Sequence, residues 1–156
     1  MILDILYDSF KDISLLLKNE DLNLLAEETK FKNSSKDIKK NIDVKKNEII
    51  RKAFELLPEI NGYISEEEED LIIKDNSLEI GYILIVDPCD GSNNIISNLA
   101  VGTIYGIYKY DFVNNYIMDI YECGYALYGP STLLIRSETN KLKLFHLNAE
   151  NKFNFV

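Results

Sequence analysis

The hydrophobic pattern changes period at Pro58, and that change limits the fold more than any other feature of the chain. Before it, Ile2, Ile5, Leu6, Phe10, Ile13, Leu16 and Leu17 recur mainly at spacings of three and four. That spacing predicts an amphipathic helix over 2–18 with one face packed inward. Val44, Ile49, Ala53, Leu56 and Leu57 repeat it and predict a second helix over 44–57. Pro58 stops that helix, because its ring fixes φ and it has no N–H to give. The polar stretch between them, 19–40, predicts a loop interrupted by a short helical piece. Beyond Pro58 the apolar residues fall into short runs rich in Ile, Val, Tyr and Leu, which predict strands over 62–65, 71–74, 80–86, 101–110, 116–121, 132–136 and 142–147. Asn114-Asn115, Gly129-Pro130 and Asn140 supply the turns between the later strands. Helices first and strands afterwards define an α+β, layered domain.

Composition limits the chemistry. A chain of 156 residues, 46% hydrophobic and 28% charged, has enough apolar material for one domain with a real core. No repeat, low-complexity linker or change of composition marks a second one. With 17 basic against 26 acidic residues and a net charge of −9, the chain is a poor partner for nucleic acid or an anionic membrane. A polyanionic substrate would need a local cation, which clustered carboxylates can supply by holding a metal ion. Cys89 and Cys123 form no CxxC pair, and His146 is the single histidine, so neither a zinc constellation nor a disulfide framework is expected. The amino terminus lacks the basic start and small-residue cleavage site of a signal peptide, and no apolar run reaches membrane-spanning length. A reducing, cytoplasmic setting is the expectation. The chain ends on Phe155-Val156, where a strand would be expected to continue, and this reads as truncation.

The chemistry concentrates at Asp87-Pro88-Cys89-Asp90-Gly91-Ser92-Asn93-Asn94, which follows the apolar run Ile80 to Val86 directly. Asp87 and Asp90 flank a proline-stiffened turn, so two carboxylates and the Cys89 carbonyl can converge on one hard cation. Gly91 allows close backbone approach, and the N–H groups of Ser92 and Asn93 are expected to open a helix whose positive end faces a phosphate. A second acidic cluster runs from Glu66 to Asp70, and a third pair, Asp37 and Asp43, lies six residues apart before the second helix. Alone, an acidic run is ordinarily a solvated face and an Asx-rich turn is ordinary loop chemistry. Their joint arrangement is what points to a metal-phosphate site.

That arrangement resembles the class I fructose-1,6-bisphosphatases, within the superfamily of lithium-sensitive, metal-dependent sugar and inositol phosphatases. The resemblance rests on Asp37 and Asn41-Ile42-Asp43-Val44, then Ser65-Glu66-Glu67, then Asp87 to Asn94, then Val101-Gly102-Thr103-Ile104-Tyr105-Gly106-Ile107-Tyr108, in the family's order. Gly124-Tyr125-Ala126-Leu127-Tyr128-Gly129 extends it almost to the end. It implies a layered sugar-phosphatase fold, with amino-terminal helices packed on a mixed, mainly antiparallel sheet. Residues 1–156 would be its amino-terminal domain, and the carboxyl-terminal domain would be absent.

The resemblance also implies roles. Glu66, Asp87, Asp90 and the Cys89 carbonyl would bind Mg²⁺, two or three ions per site, with Mn²⁺ or Zn²⁺ as substitutes and Asp37 beside them. Asp43 and Glu67 would help activate the attacking water, and Gly91, Ser92 and Asn93 would hold the phosphoryl group. The implied reaction is removal of the 1-phosphate of fructose 1,6-bisphosphate, a gluconeogenic step, by a homo-oligomer or with a missing carboxyl-terminal half. Two departures are visible: Cys89 stands where the family usually has Leu, and Asn93 where it has Ser. The amino-terminal regulatory segment is short and unmatched, so no AMP site is expected. Tyr105 and Tyr108 read as sheet packing, Cys123 as a small buried residue and His146 as a strand residue without chemistry. Two other readings remain open: a non-catalytic remnant or assembly partner that retains metal binding, and an inositol or nucleotide phosphatase of the same superfamily.

Overall fold

A computed structural model describes residues 3–138 and 141–156. Helix α1 (Asp4–Asn19) and helix α3 (Asn41–Leu56) lie against one face of an eight-stranded sheet. The strands are β3 (Ile60–Ser65), β4 (Ile72–Ile73), β5 (Ile80–Asp90), β6 (Val101–Asp111), β7 (Tyr116–Tyr128), β8 (Thr132–Glu138), β9 (Lys141–Leu147) and β10 (Phe153–Phe155). Their order across the sheet is β10-β9-β8-β7-β6-β5-β3-β4, and every neighbouring pair is antiparallel except β3 and β5, which run parallel. The expected α+β class with a mixed, mainly antiparallel sheet is the fold observed. No helix among the described residues is long and apolar enough to cross a membrane.

Alternation along the strands decides which side chains meet the helices. Leu6, Phe10 and Ile13 of α1 and Ile42, Ile50 and Phe54 of α3 share a core with Tyr63, Leu84, Val86, Tyr105, Ile107 and Ala126. Phe54 stacks on Tyr63 at 5.1 Å between ring centroids, and Phe10 meets Tyr105 at 5.3 Å. The intervening residues, Ile85, Ile104, Tyr108, Cys123, Tyr125, Ile135 and Leu142, line a shallow cavity of about 370 Å³ on the other face. Nothing in the described chain covers that face, and Ile104 is 45% and Leu142 77% exposed.

Five local differences from the sequence reading stand out. Helix α3 begins at Asn41 rather than Val44, because the Asp43 side chain caps it by accepting the Lys40 backbone N–H at 2.7 Å. The stretch 19–40 holds the expected short helix, α2 (Leu22–Ala26), and also a hairpin of β1 (Glu28–Lys32) and β2 (Ile38–Lys40). That hairpin has no buried residue in either strand, so it lacks the apolar alternation that announces a strand. Strand β5 does not end at Val86 but continues through Asp90 with a bulge after Asp87, which re-pairs Asp90 with Gly102. The turn expected at Asp87–Asp90 is therefore a bulged strand. The run at 116–121 continues to Tyr128, and β10 adds a strand that its short sequence did not signal. Ile2 and the Asn140 turn lie outside the described residues.

Candidate active site

Strands β3 and β5 carry the central acids to the same place. Their parallel register pairs Ser65 with Val86, so Glu66 and Asp87 leave adjacent strands side by side. The Glu66 N–H donates to the Val86 carbonyl at 3.1 Å and seals that junction. The α3 cap adds Asp43, the hairpin brings Asp37, and the bulge of β5 turns Asp90 toward the same space. One cavity of about 340 Å³ is lined by Asp37, Asp43, Glu66, Glu67, Asp87, Cys89, Asp90, Gly91, Ser92 and Asn93. Each site residue singled out in the sequence lies on its wall.

The acids crowd one another at a cost. Burial, then the neighbouring charge of Asp87, pushes the Glu66 carboxyl up to about 7. Burial and then Asp43 raise Glu67, with Lys39 opposing. Asp87 is raised by burial, although its Oδ1 accepts the Cys89 N–H at 2.9 Å, which works in the other direction. Glu67 is nearly buried, and its Oε2 has no hydrogen-bond donor. Lys39 Nζ stands 3.4 Å from that oxygen but donates at 2.5 Å to the Glu67 backbone carbonyl.

These features fit a hard divalent cation in donor chemistry: oxygen ligands, an orphaned carboxylate oxygen, and like charges that a cation would relieve. The set is not drawn tightly together. Among the described residues, no three His, Cys, Asp or Glu side chains form a group close enough to hold a metal ion. Cys89 is nearly buried, and burial pushes its thiol up to about 12, so the side chain is an unreactive thiol.

Beyond Asp90 the chain makes its one left-handed glycine step, Gly91 at φ 77°, a conformation that side chains with a Cβ rarely adopt. The expected helix is a 3-10 helix of six residues, Ser92–Ser97, too short for an appreciable dipole. Its first residues still line the cavity, and Asn94 N–H closes the turn on Gly91 O at 2.8 Å.

Some neighbours escaped the sequence reading. Lys40 lines the cavity and its Nζ donates to Asn93 Oδ1, tying the α3 cap to the loop that follows Gly91. Asn33 donates to Glu66 Oε1 at 2.9 Å, and Tyr125 donates to Asp90 Oδ2 at 3.2 Å. The available signal was the placement of Lys39 and Lys40 between Asp37 and Asp43. Tyr105 does more than pack: its hydroxyl donates to Glu122 Oε1 at 2.8 Å. Cys123 is half-buried on the open sheet face rather than buried, and His146 lies on β9 away from this cavity.

The fold and this cavity agree with what comparison with known proteins finds. A family model described as "Fructose-1-6-bisphosphatase, N-terminal domain" matches residues 1–156. The chain belongs to the fructose-1,6-bisphosphatase family, a family of phosphatases. Among named relatives, the class 1 fructose-1,6-bisphosphatase of Campylobacter concisus is 34% identical over 152 residues, covering 96% of this chain and 50% of the relative. That of Campylobacter hominis is 29% identical over 156 residues, covering 94% and 52%. The solved holo structure of the Leishmania major fructose-1,6-bisphosphatase superposes with a TM-score of 0.86 at 23% identity, over 99% of this chain and 52% of that one, and shows the same fold. The chain thus spans about half the length of these relatives.

Proposed function

We propose that the chain carries the acid-rich part of a magnesium-dependent phosphomonoesterase site that removes the 1-phosphate of fructose 1,6-bisphosphate in the cytoplasm. The observation that carries this reading is the parallel β3–β5 register, which delivers Glu66, Glu67, Asp87 and Asp90 to one cavity with Asp43 and the Gly91–Asn93 loop. Glu66, Asp87, Asp90 and the Cys89 carbonyl would hold Mg²⁺, with Asp37 at the margin. The bound ion would acidify a water molecule and offset charge on the transferring phosphoryl oxygens. Asp43 and Glu67 would take the water's proton, and the burial that raises Glu67 makes it a better base. The N–H groups of Gly91, Ser92 and Asn93 can bind phosphoryl oxygens, and Lys40 brings a cation to the same loop.

A second reading, a non-catalytic subunit that keeps the metal site, draws on the open sheet face and on the half-length match to relatives. Under either reading that apolar face receives a further part of the fold, supplied by a second copy or by the carboxyl-terminal half. The deciding experiment is Mg²⁺-dependent phosphate release from fructose 1,6-bisphosphate, with Asp87→Asn as control. Release that this substitution abolishes establishes catalysis by this site. No release from a folded, Mg²⁺-binding chain selects the non-catalytic reading, and addition of the carboxyl-terminal half of a relative then tests for restoration.

A further inference from the structure

Lys46 is completely buried, on the turn of α3 that follows Asp43. Its ammonium donates to the Gly102 carbonyl at 2.6 Å and stands 4.8 Å from the centre of the Tyr128 ring. Gly102 is the cross-strand partner of Asp90, and the next residue, Thr103, donates at 2.8 Å to the Pro88 carbonyl. Lys46 and Thr103 therefore hold the strand that backs the acidic bulge. Burial pulls Lys46 below the ordinary lysine range, and its neighbours Cys89, then Asp87 and Asp43, work in the other direction. No salt bridge joins Lys46 to any described carboxylate at contact distance, so its charge acts on the cluster as a whole.

Burying a lysine this completely is expensive unless nearby negative charge compensates it, and the converse also holds. An ammonium behind the cluster favours the ionised acids and repels a cation arriving from the cavity side. The geometry points to Lys46 as a positioning residue, a resident counter-charge that weakens and limits cation binding by the acids in front of it. This rests on the metal-site reading above. A divalent ion meets twice the repulsion of a proton, so removing the ammonium should favour metal over protons.

Mn²⁺ binding, followed by loss of the free-ion paramagnetic resonance signal at pH 8, tests this without reference to activity. Lys46→Gln retains a donor for Gly102 without the charge, Lys46→Met removes both, and Lys46→Arg retains the charge. The Gln and Met variants should bind Mn²⁺ about tenfold more tightly than the parent, with Arg close to it. A purely structural lysine gives the opposite sign, because a loosened bulge binds Mn²⁺ more weakly. The inference is overturned if folded Gln or Met variants bind with unchanged or reduced affinity while Asp87→Asn weakens binding at least tenfold. Binding that Asp87→Asn leaves unweakened, or no binding by the parent chain, overturns the metal-site reading and this inference with it. If Lys46→Met does not fold, Lys46→Gln decides.

Discussion

Two nearly buried glutamates, Glu122 and Glu67, stand in opposite conditions. Glu122, beneath α1, accepts from Tyr7 at 2.6 Å, from Tyr105 at 2.8 Å and from Arg136 at 3.0 Å. Arg136 also donates to the Tyr7 hydroxyl at 2.9 Å, so the group closes on itself. Glu67 faces other carboxylates and keeps one oxygen without a donor. A protein that satisfies one buried acid so fully can satisfy another. The contrast separates charge used to hold the fold from charge kept available for a ligand.

The comparison breaks most readily at Glu122. Glu122→Leu removes the acceptor shared by Tyr7, Tyr105 and Arg136 and should cost about 3 kcal/mol of stability, seen as a lower denaturant midpoint with unchanged slope. Glu67→Gln should leave stability close to the parent's, since the repulsion from Asp43 that it relieves is set against the Lys39 ion pair that it removes. Equal losses at the two positions would abolish the distinction. Next in size, Asp87→Asn should weaken Mn²⁺ binding at least tenfold in a titration while the fold's circular dichroism stays the same.

A pH series sharpens the contrast further. Glu66 has a folded value near 7, above its ordinary unfolded value near 4.3, so folding takes up protons between them. Its stabilising contribution is therefore full below about pH 4 and is lost as pH rises through about 7. Metal-free chain should lose stability across that window in urea melts, and saturating Mg²⁺ should flatten the slope. The smallest effect belongs to Tyr125→Phe, which removes a long hydrogen bond to Asp90; a stability change under about 1 kcal/mol is expected, with slightly weaker metal binding.

Much of this was legible in the chain because it is local. The helical spacing, Pro58 and the strand running into Asp87 to Asn94 each act within one segment. What escaped was written across segments. The bulge that keeps β5 going depends on Gly102 of β6, and the β1–β2 hairpin is too exposed to carry an apolar signature. The meeting of Glu66 with Asp87 was legible only through family resemblance, because the parallel register that causes it has no local signal. Lys46, Glu122 and Arg136 drew no reading from the sequence, because charged residues at such positions carry no local sign of what they will meet. Their partners are set by the packing of the layers, which no local signal announces.

The lone parallel pair also determines where this chain can grow. Parallel neighbours cannot be joined by a tight turn, so the segment from Glu66 to Glu79 must leave the sheet, return along β3 as β4, and come back to start β5. Lys74 pins that excursion midway by donating to the Phe54 and Leu57 carbonyls, and its own N–H bonds Asn61 O at 2.9 Å. Past the pin, Asp75 to Ser77 is an exposed polar turn fastened mainly to itself. Added residues there would lengthen a surface loop while the strand ends that present the acids stay in register. A crossover built this way separates two design problems, letting the periphery vary freely around a chemistry that keeps its spacing.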